Sequence, residues 1–234
     1  MFFVKLSHII EKNYYPYIYT YMKYVVAGST GLIGKSLINI IPQENKVVAL
    51  ARRNFSFANN VQEKLVDFDS DYDLPPADHL FICLGFPVEL LDLVIMRKSV
   101  KKLFYKVDYE YVTSLAEKAK KIGVKSVTVV SAVGANKNSF NYYLKIKGLM
   151  EEKLKDLNFE VLNIIQPSHL LGEREKPIGH DVKLFEDITN ATGNFLVGPL
   201  AKFKNVKATD IAKLMLEKSK DSKKGINYFT RIDI

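Results

Sequence analysis

The chain has 234 residues, 47% hydrophobic and 26% charged, with 34 Lys and Arg against 26 Asp and Glu. This length supports one full-sized core, and the balance excludes a disordered or low-complexity polymer. The net charge of +8 suits anionic partners such as nucleotides, but the lysines are scattered and the densest basic run, Lys218 to Lys224, has no interleaved aromatics, so no nucleic-acid partner is expected.

The first 21 residues are rich in Tyr, Phe and Ile, but Lys5, His8, Glu11, Lys12 and Pro16 interrupt them, so no run there is long enough for a membrane span. Met22-Lys23-Tyr24-Val25 reads as the natural start of a first strand. Residues 1–21 are therefore read as an N-terminal extension, translated from an upstream start codon, and residues 22–234 as a single nucleotide-binding domain.

The next segment is the most informative. A short apolar run, Tyr24 to Ala27, enters Gly28-Ser29-Thr30-Gly31-Leu32-Ile33-Gly34, and Leu37, Ile38 and Ile41 continue from it at helical spacing. Strand, glycine turn and helix make the frame of a dinucleotide site. One glycine forms the turn, one admits a pyrophosphate to the backbone, and one lets helix and strand pack closely. The phosphate would meet free N–H groups at the positive helix end.

The second strand, Lys46–Leu50, runs into Ala51-Arg52-Arg53. NAD sites usually carry a carboxylate there to bond the ribose 2′-hydroxyl. Two guanidiniums instead suit a 2′-phosphate, which they clamp with bidentate, charge-assisted bonds, so the expected cofactor is NADP(H). Further strands are expected at Lys64–Val66, His79–Leu84, Ser126–Val130 and Glu160–Ile165. They are short and mostly apolar, as in a parallel sheet buried on both faces. Helices are expected near Gly31–Ile41, Leu90–Tyr105, Asp108–Ile122 and Tyr142–Leu157. This alternation gives a doubly wound α/β sheet, mostly parallel. Cys83 lies in an apolar run and reads as a buried strand thiol. As the single cysteine it excludes an intramolecular disulfide and fits a reducing compartment, and a cytoplasmic location is expected. Four scattered histidines offer no metal-ligand spacing, so no metal is expected.

Ser131 follows the fifth strand directly, at the carboxyl end where such sheets bind ligands. In the helix after it, Tyr143 and Lys147 are four residues apart and share a face. A cation beside a phenol favours the phenolate, so Tyr143 is expected to titrate below its usual value and to act as general acid or base. Ile146, Met150, Leu154 and Leu157 form the apolar stripe of this helix, and Tyr143 and Lys147 lie along the same side. A lysine so placed requires a partner. Beyond Ile165 the pattern loosens: a loop at Pro167–His180, a helix at Asp181–Thr192, a last helix Asp210–Lys218 capped by Thr209, and a final strand Ile226–Thr230. This small C-terminal region is expected to build the substrate pocket.

These segments together resemble the atypical branch of the short-chain dehydrogenase/reductase superfamily, and most of all the oxidoreductases related to the HIV Tat-interacting protein. The resemblance rests on Ala27–Gly34, Leu50 to Arg53, Val66-Asp67-Phe68, Cys83-Leu84-Gly85, Val107-Asp108, Ser131 to Ala135 and Tyr143–Gly148. It covers about two-thirds of the chain, from Lys23 to Gly172. It implies an NADP(H)-binding Rossmann fold, with Ser131, Tyr143 and Lys147 as active-site trio and Lys147 also on the nicotinamide ribose. It further implies that Leu84 and Gly85 lie under the adenosine half and that the loop Gln166 to Leu170 flanks the nicotinamide. There the chain departs from the family, with Gln166-Pro167-Ser168 where Arg-Pro-Gly is frequent.

The expected function is NADP(H)-dependent hydride transfer to or from a small carbonyl or alcohol. An NADP(H)-binding regulator without turnover is the alternative, and a nucleotide-sugar epimerase ranks lower. The partner expected is a small-molecule substrate, with monomer and homodimer both open.

Overall fold

The computed structural model describes residues 21–57, 60–88, 92–93, 95–171, 205–220 and 223–234. Residues 1–20 of the N-terminal extension and the expected helix Asp181–Thr192 lie outside them, as does most of the loop Pro167–His180. The sheet strands are β1 (Lys23–Ala27), β2 (Lys46–Ala51), β3 (Val61–Leu65), β4 (His79–Ile82), β5 (Ser126–Val130), β6 (Val161–Ile165) and β9 (Gly225–Phe229). They form one seven-stranded sheet in the order β3-β2-β1-β4-β5-β6-β9, and every pairing is parallel. A separate parallel pair joins β7 (Leu170–Leu171) to β8 (Val206–Lys207).

Parallel neighbours need crossovers, and the intervening helices cover both faces. Alternation along β1 shows the division. Val25 packs on one side with Leu80, Val127, Leu115 and Met150, whereas Tyr24 and Val26 pack on the other with Leu37, Phe81, Ile211 and Met215. The first layer is built by α3 (Val112–Lys121) and α4 (Tyr142–Asp156), the second by α1 (Leu32–Ile40) and α5 (Ala208–Lys220). This is the doubly wound Rossmann architecture.

Most strand positions agree with the sequence to within a residue or two. The third is the exception, beginning at Val61 rather than Lys64, because it is an edge strand and its Gln62-Glu63-Lys64 lack the apolar run of a buried one. Cys83 lies just beyond β4, not within it. The two helices expected between β4 and β5 are joined: α2 (Lys98–Tyr105) passes through a π-helical turn, Lys106–Tyr111, straight into α3. No Gly or Pro between Lys98 and Lys121 breaks the run. Thr209 is not a cap, since α5 already begins at Ala208 and places it in the first turn.

Candidate functional site

The order β2-β1-β4 marks the switch point of the sheet, where chain connections diverge and a crevice opens at the carboxyl ends. Gly28 stands there with φ +78°, and a Cβ on it would lie 2.5 Å from the Cys83 carbonyl oxygen. The turn after β1 is thus pressed against the chain leaving β4. A Cβ at Gly34 would lie 2.2 Å from the Gly28 oxygen, so helix and turn touch through backbone. Ser29 is fully buried and donates to the Leu50 carbonyl at 2.9 Å, tying the turn to β2. Thr30 and Leu32 are half-buried and Ile33 is buried in the core.

Gly31 is different. It is exposed, it is the N-cap of α1 and no side chain caps it, nor does any acidic residue stand in the first turn. The first N–H groups of α1 therefore lack a side-chain acceptor, and no Cβ covers the approach to them. This is the donor set and the space a pyrophosphate requires, so the residues present fit a dinucleotide.

Arg52 and Arg53 follow β2 and are exposed. Arg52 lines a cleft of about 320 Å³ with Leu65, Val66 and Asp67 from the end of β3. Sequence reasoning did not single out Leu65 or Asp67 as site residues; the signal available was the matching Val66-Asp67-Phe68 segment. Leu84 is half-buried and Gly85 exposed, directly after β4, beside the glycine turn. Burial pushes the Cys83 thiol up to about 12, which leaves it inert.

Ser131 lies at the end of β5, 3% exposed, with its N–H bonded to the Ile165 carbonyl at 2.7 Å. Its hydroxyl donates to the Glu151 carboxylate. Asn141 caps α4, its Oδ1 accepting from the Leu144 N–H at 3.0 Å, and so fixes where the helix starts. From there Tyr143, Lys147 and Glu151 follow at four-residue intervals along one face.

The partner that Lys147 requires is Asp108. The ammonium lies 2.7 Å from Oδ1, with both side chains almost fully buried, and Oδ2 accepts from the Phe86 N–H at 2.7 Å. Burial is the largest influence and pulls the Lys147 pKa down, but the charge and hydrogen bond of Asp108 together with Tyr143 and Glu151 outweigh it, and the net shift is upward. Burial also pushes the Asp108 carboxyl up, against the pull of Lys147. The Lys147 ammonium and the Phe86 N–H each aim a donor at one Asp108 oxygen, an arrangement that favours the ionised pair. Asp108 stands within the π-helical turn packed against α4, a helix irregularity of the kind often found at functional positions.

Tyr143 stacks on Phe104, ring centroids 5.2 Å apart. Its phenol departs from expectation. Burial pushes its pKa up, the Lys147 charge pulls it down, and Asp108 adds to the rise, with a net increase above 10.0. The lysine is shared with a carboxylate, so it does not dominate the phenol as the bare Tyr-x-x-x-Lys spacing implies. Leu170 begins β7 and packs half-buried against the α1–α5 core. Gln166 donates its side-chain amide to Glu151 at 2.9 Å. Asp108 and Glu151 were not assigned roles from sequence, and Gln166 was expected only as part of the loop flanking the nicotinamide. Among the described residues no cluster of His, Cys, Asp and Glu could hold a metal ion, and no helix is long and apolar enough to cross a membrane.

No family model matches the chain. Protein HTATIP2 of Rattus norvegicus is 35% identical over 162 residues, 64% of this chain and 64% of that protein's length. The protein FMP52 of Candida glabrata, named mitochondrial, is 34% identical over 175 residues, 71% of this chain and 72% of the relative. A short-chain dehydrogenase family protein from Francisella tularensis superposes with a TM-score of 0.59 at 15% identity, covering 89% of this chain and 96% of that one, a likeness of fold. The relatives overturn the cytoplasmic expectation, because FMP52 proteins are named mitochondrial. Cysteine count reports only on redox conditions, whereas location is set by targeting machinery that reads other features. The residues of the glycine turn and of the Tyr143–Lys147 helix thus stand in a chain that belongs to the family of the FMP52 and HTATIP2 proteins, atypical short-chain dehydrogenases/reductases with a Rossmann fold.

Proposed function

We propose that this protein is an NADP(H)-dependent reductase of small carbonyl compounds. The observation that carries the reading is Lys147: an ammonium 4% exposed, fixed by Asp108 one turn from Tyr143, on the helix that follows Ser131. A buried charge of this kind is expensive to maintain without a task.

The α1 N-terminus at Gly31 would hold the pyrophosphate, Arg52 and Arg53 the 2′-phosphate, and the Arg52–Asp67 cleft the adenine, whose amino group suits the Asp67 carboxylate. Leu84 and Gly85 would lie under the adenosine half, and Leu170 near the nicotinamide. When bound, the nicotinamide supplies the hydride. Lys147 would bond the ribose hydroxyls and keep a positive charge beside the phenol. Tyr143, protonated at neutral pH, gives its proton to the carbonyl oxygen, and Ser131 steadies that oxygen. The raised pKa keeps the phenol in the protonated form that reduction needs, though as a weaker acid, and leaves little phenolate at neutral pH to serve as base in the reverse direction. The mitochondrial designation of the FMP52 relatives supports a mitochondrial location.

The regulator reading is also favoured by one observation. Ser131 and Lys147 are already bonded to Glu151 and Asp108, so both can stay engaged while the cofactor merely binds. Turnover separates the two. A panel of aldehydes and ketones is screened for NADPH oxidation with wild type and Tyr143→Phe. The reductase reading expects a substrate whose rate falls at least about 100-fold in the variant, by loss of general acid catalysis. NADPH binding without any Tyr143-dependent oxidation would favour the regulator.

A further inference from the structure

Glu151 lies one turn beyond Lys147 on α4 and is 4% exposed. Two donors from different strands meet its Oε1: the Ser131 hydroxyl at the end of β5, and the Gln166 amide at 2.9 Å from the end of β6. Both donors are neutral. Of the cations on the same helix, Lys147 is engaged with Asp108 and Lys155 with Glu152 at 2.6 Å, while Lys145 is exposed to solvent. From α3, Glu117 is paired with Lys153 at 2.7 Å, and the π-helical turn offers Asp108, already held by Lys147. β5 and β6 contain no ionisable side chain. Glu151 is therefore a buried carboxyl without a dedicated counter-charge. Burial, the largest influence on it, raises its pKa above 4.5, against the pull of Ser131, Gln166, Lys155 and Lys147.

A serine hydroxyl has one hydrogen. While that hydrogen is given to a carboxylate, Ser131 can only accept at its oxygen, and a carbonyl substrate brings no donor. We propose that Glu151 is a positioning residue that decides which way the Ser131 hydroxyl points. As carboxylate it captures the serine hydrogen. As carboxylic acid it donates to Oγ and leaves that hydrogen free for the oxygen of a bound carbonyl. The balance is simple: one proton is taken up from solvent by Glu151, and no bond to carbon changes. Gln166 fits the role because its amide donates to Glu151 in either state and leaves the hydroxyl as the group that must turn. The inference rests on the reading of Ser131 as the group that meets the substrate oxygen.

Two measurements test it. With a substrate found by the carbonyl screen, kcat/KM of the wild type should fall about tenfold per pH unit above the Glu151 pKa, provided the chemical step limits it. Glu151→Gln, with the Gln166 amide turned so that its oxygen accepts, has an amide that donates to Ser131 at every pH, so it should lose this limb while keeping the low-pH rate. Ser131→Ala should lower the rate about 100-fold at low pH, as expected for one donor at a developing oxyanion. An unchanged pH profile in Glu151→Gln overturns the proposal.

The second readout needs no turnover. In full-length protein with carboxyl-labelled glutamate, the NMR resonance missing from Glu151→Gln should titrate above 4.5 and move higher still in Ser131→Ala, which removes a donor that favours the carboxylate. A midpoint like that of exposed glutamates, or one that Ser131→Ala leaves in place, overturns it. Should Glu151→Gln not fold, the resonance that moves in Ser131→Ala identifies the residue. If the titration holds but no carbonyl is reduced, it is the reductase reading that has failed, not the coupling of Glu151 to Ser131.

Discussion

Lys147 Nζ lies 2.7 Å from Asp108 Oδ1, their side chains 5% and 2% exposed, and the pair joins the π-helical turn to α4. Removing one member strands the other charge in the interior, which costs about 3–5 kcal/mol. Asp108→Ala and Lys147→Met should each lose stability on that scale in urea unfolding. The double variant should be less destabilised than the sum of the two by at least about 1 kcal/mol. Strict additivity would show that the contact is not coupled.

The glycines of the turn separate by experiment into structural and ligand-facing positions. Gly34→Ala places a Cβ 2.2 Å from backbone oxygen and should destabilise the fold by about 3 kcal/mol or more, on the scale of severe overpacking. Gly31→Ala meets only the Gly28 oxygen, at 3.2 Å, and should stay folded within about 1 kcal/mol of wild type. Because the added methyl stands before the free N–H groups of α1, the same variant should lose NADPH affinity by about tenfold or more. Thermal melts and nucleotide titrations of both variants check this. Wild-type affinity in a folded Gly31→Ala would remove the phosphate from that turn.

His79 is fully buried, with Nδ1 at 2.7 Å from Ser126 Oγ and Nε2 at 2.9 Å from Thr128 Oγ1. Burial holds its pKa down at about 3, against 6.5 for a free imidazole. From pH 6.5 down to about 3 the unfolded chain therefore binds a proton that the native chain does not. Stability conferred by neutral His79 is present above pH 6.5 and is lost as pH falls through this window, at up to about 1.4 kcal/mol per unit. His79→Asn should be less stable at neutral pH yet show a shallower acid slope in urea unfolding. An unchanged slope would mean that His79 is not the titrating group.

Much of this was legible in the sequence, for local reasons. The buried strands read as short apolar runs because both sheet faces are covered, and the glycine turn read as itself because its spacing and flanks are local. The stripe on α4 even announced that Lys147 needed a partner. What stayed hidden was non-local. Nothing at Asp108 indicates that it meets a residue 39 positions later, and the π-helical turn leaves no mark on a 3.6-residue pattern. Glu151, Ser131 and Gln166 come from three elements that only the assembled sheet brings together. The raised Tyr143 pKa followed from the same cause, since the bare spacing shows the lysine but neither the burial nor the competing carboxylate.

The central claim, a site built for NADP(H), is tested most directly by measuring dissociation constants for NADPH and NADH through nicotinamide fluorescence, with wild type and Arg52→Ala/Arg53→Ala. The account predicts that wild type binds NADPH more tightly than NADH. The double variant should weaken NADPH by about 10- to 100-fold, as for the loss of one or two charge-assisted contacts, and leave NADH nearly unchanged. Equal affinity for the two nucleotides, or equal weakening of both in the variant, would contradict it.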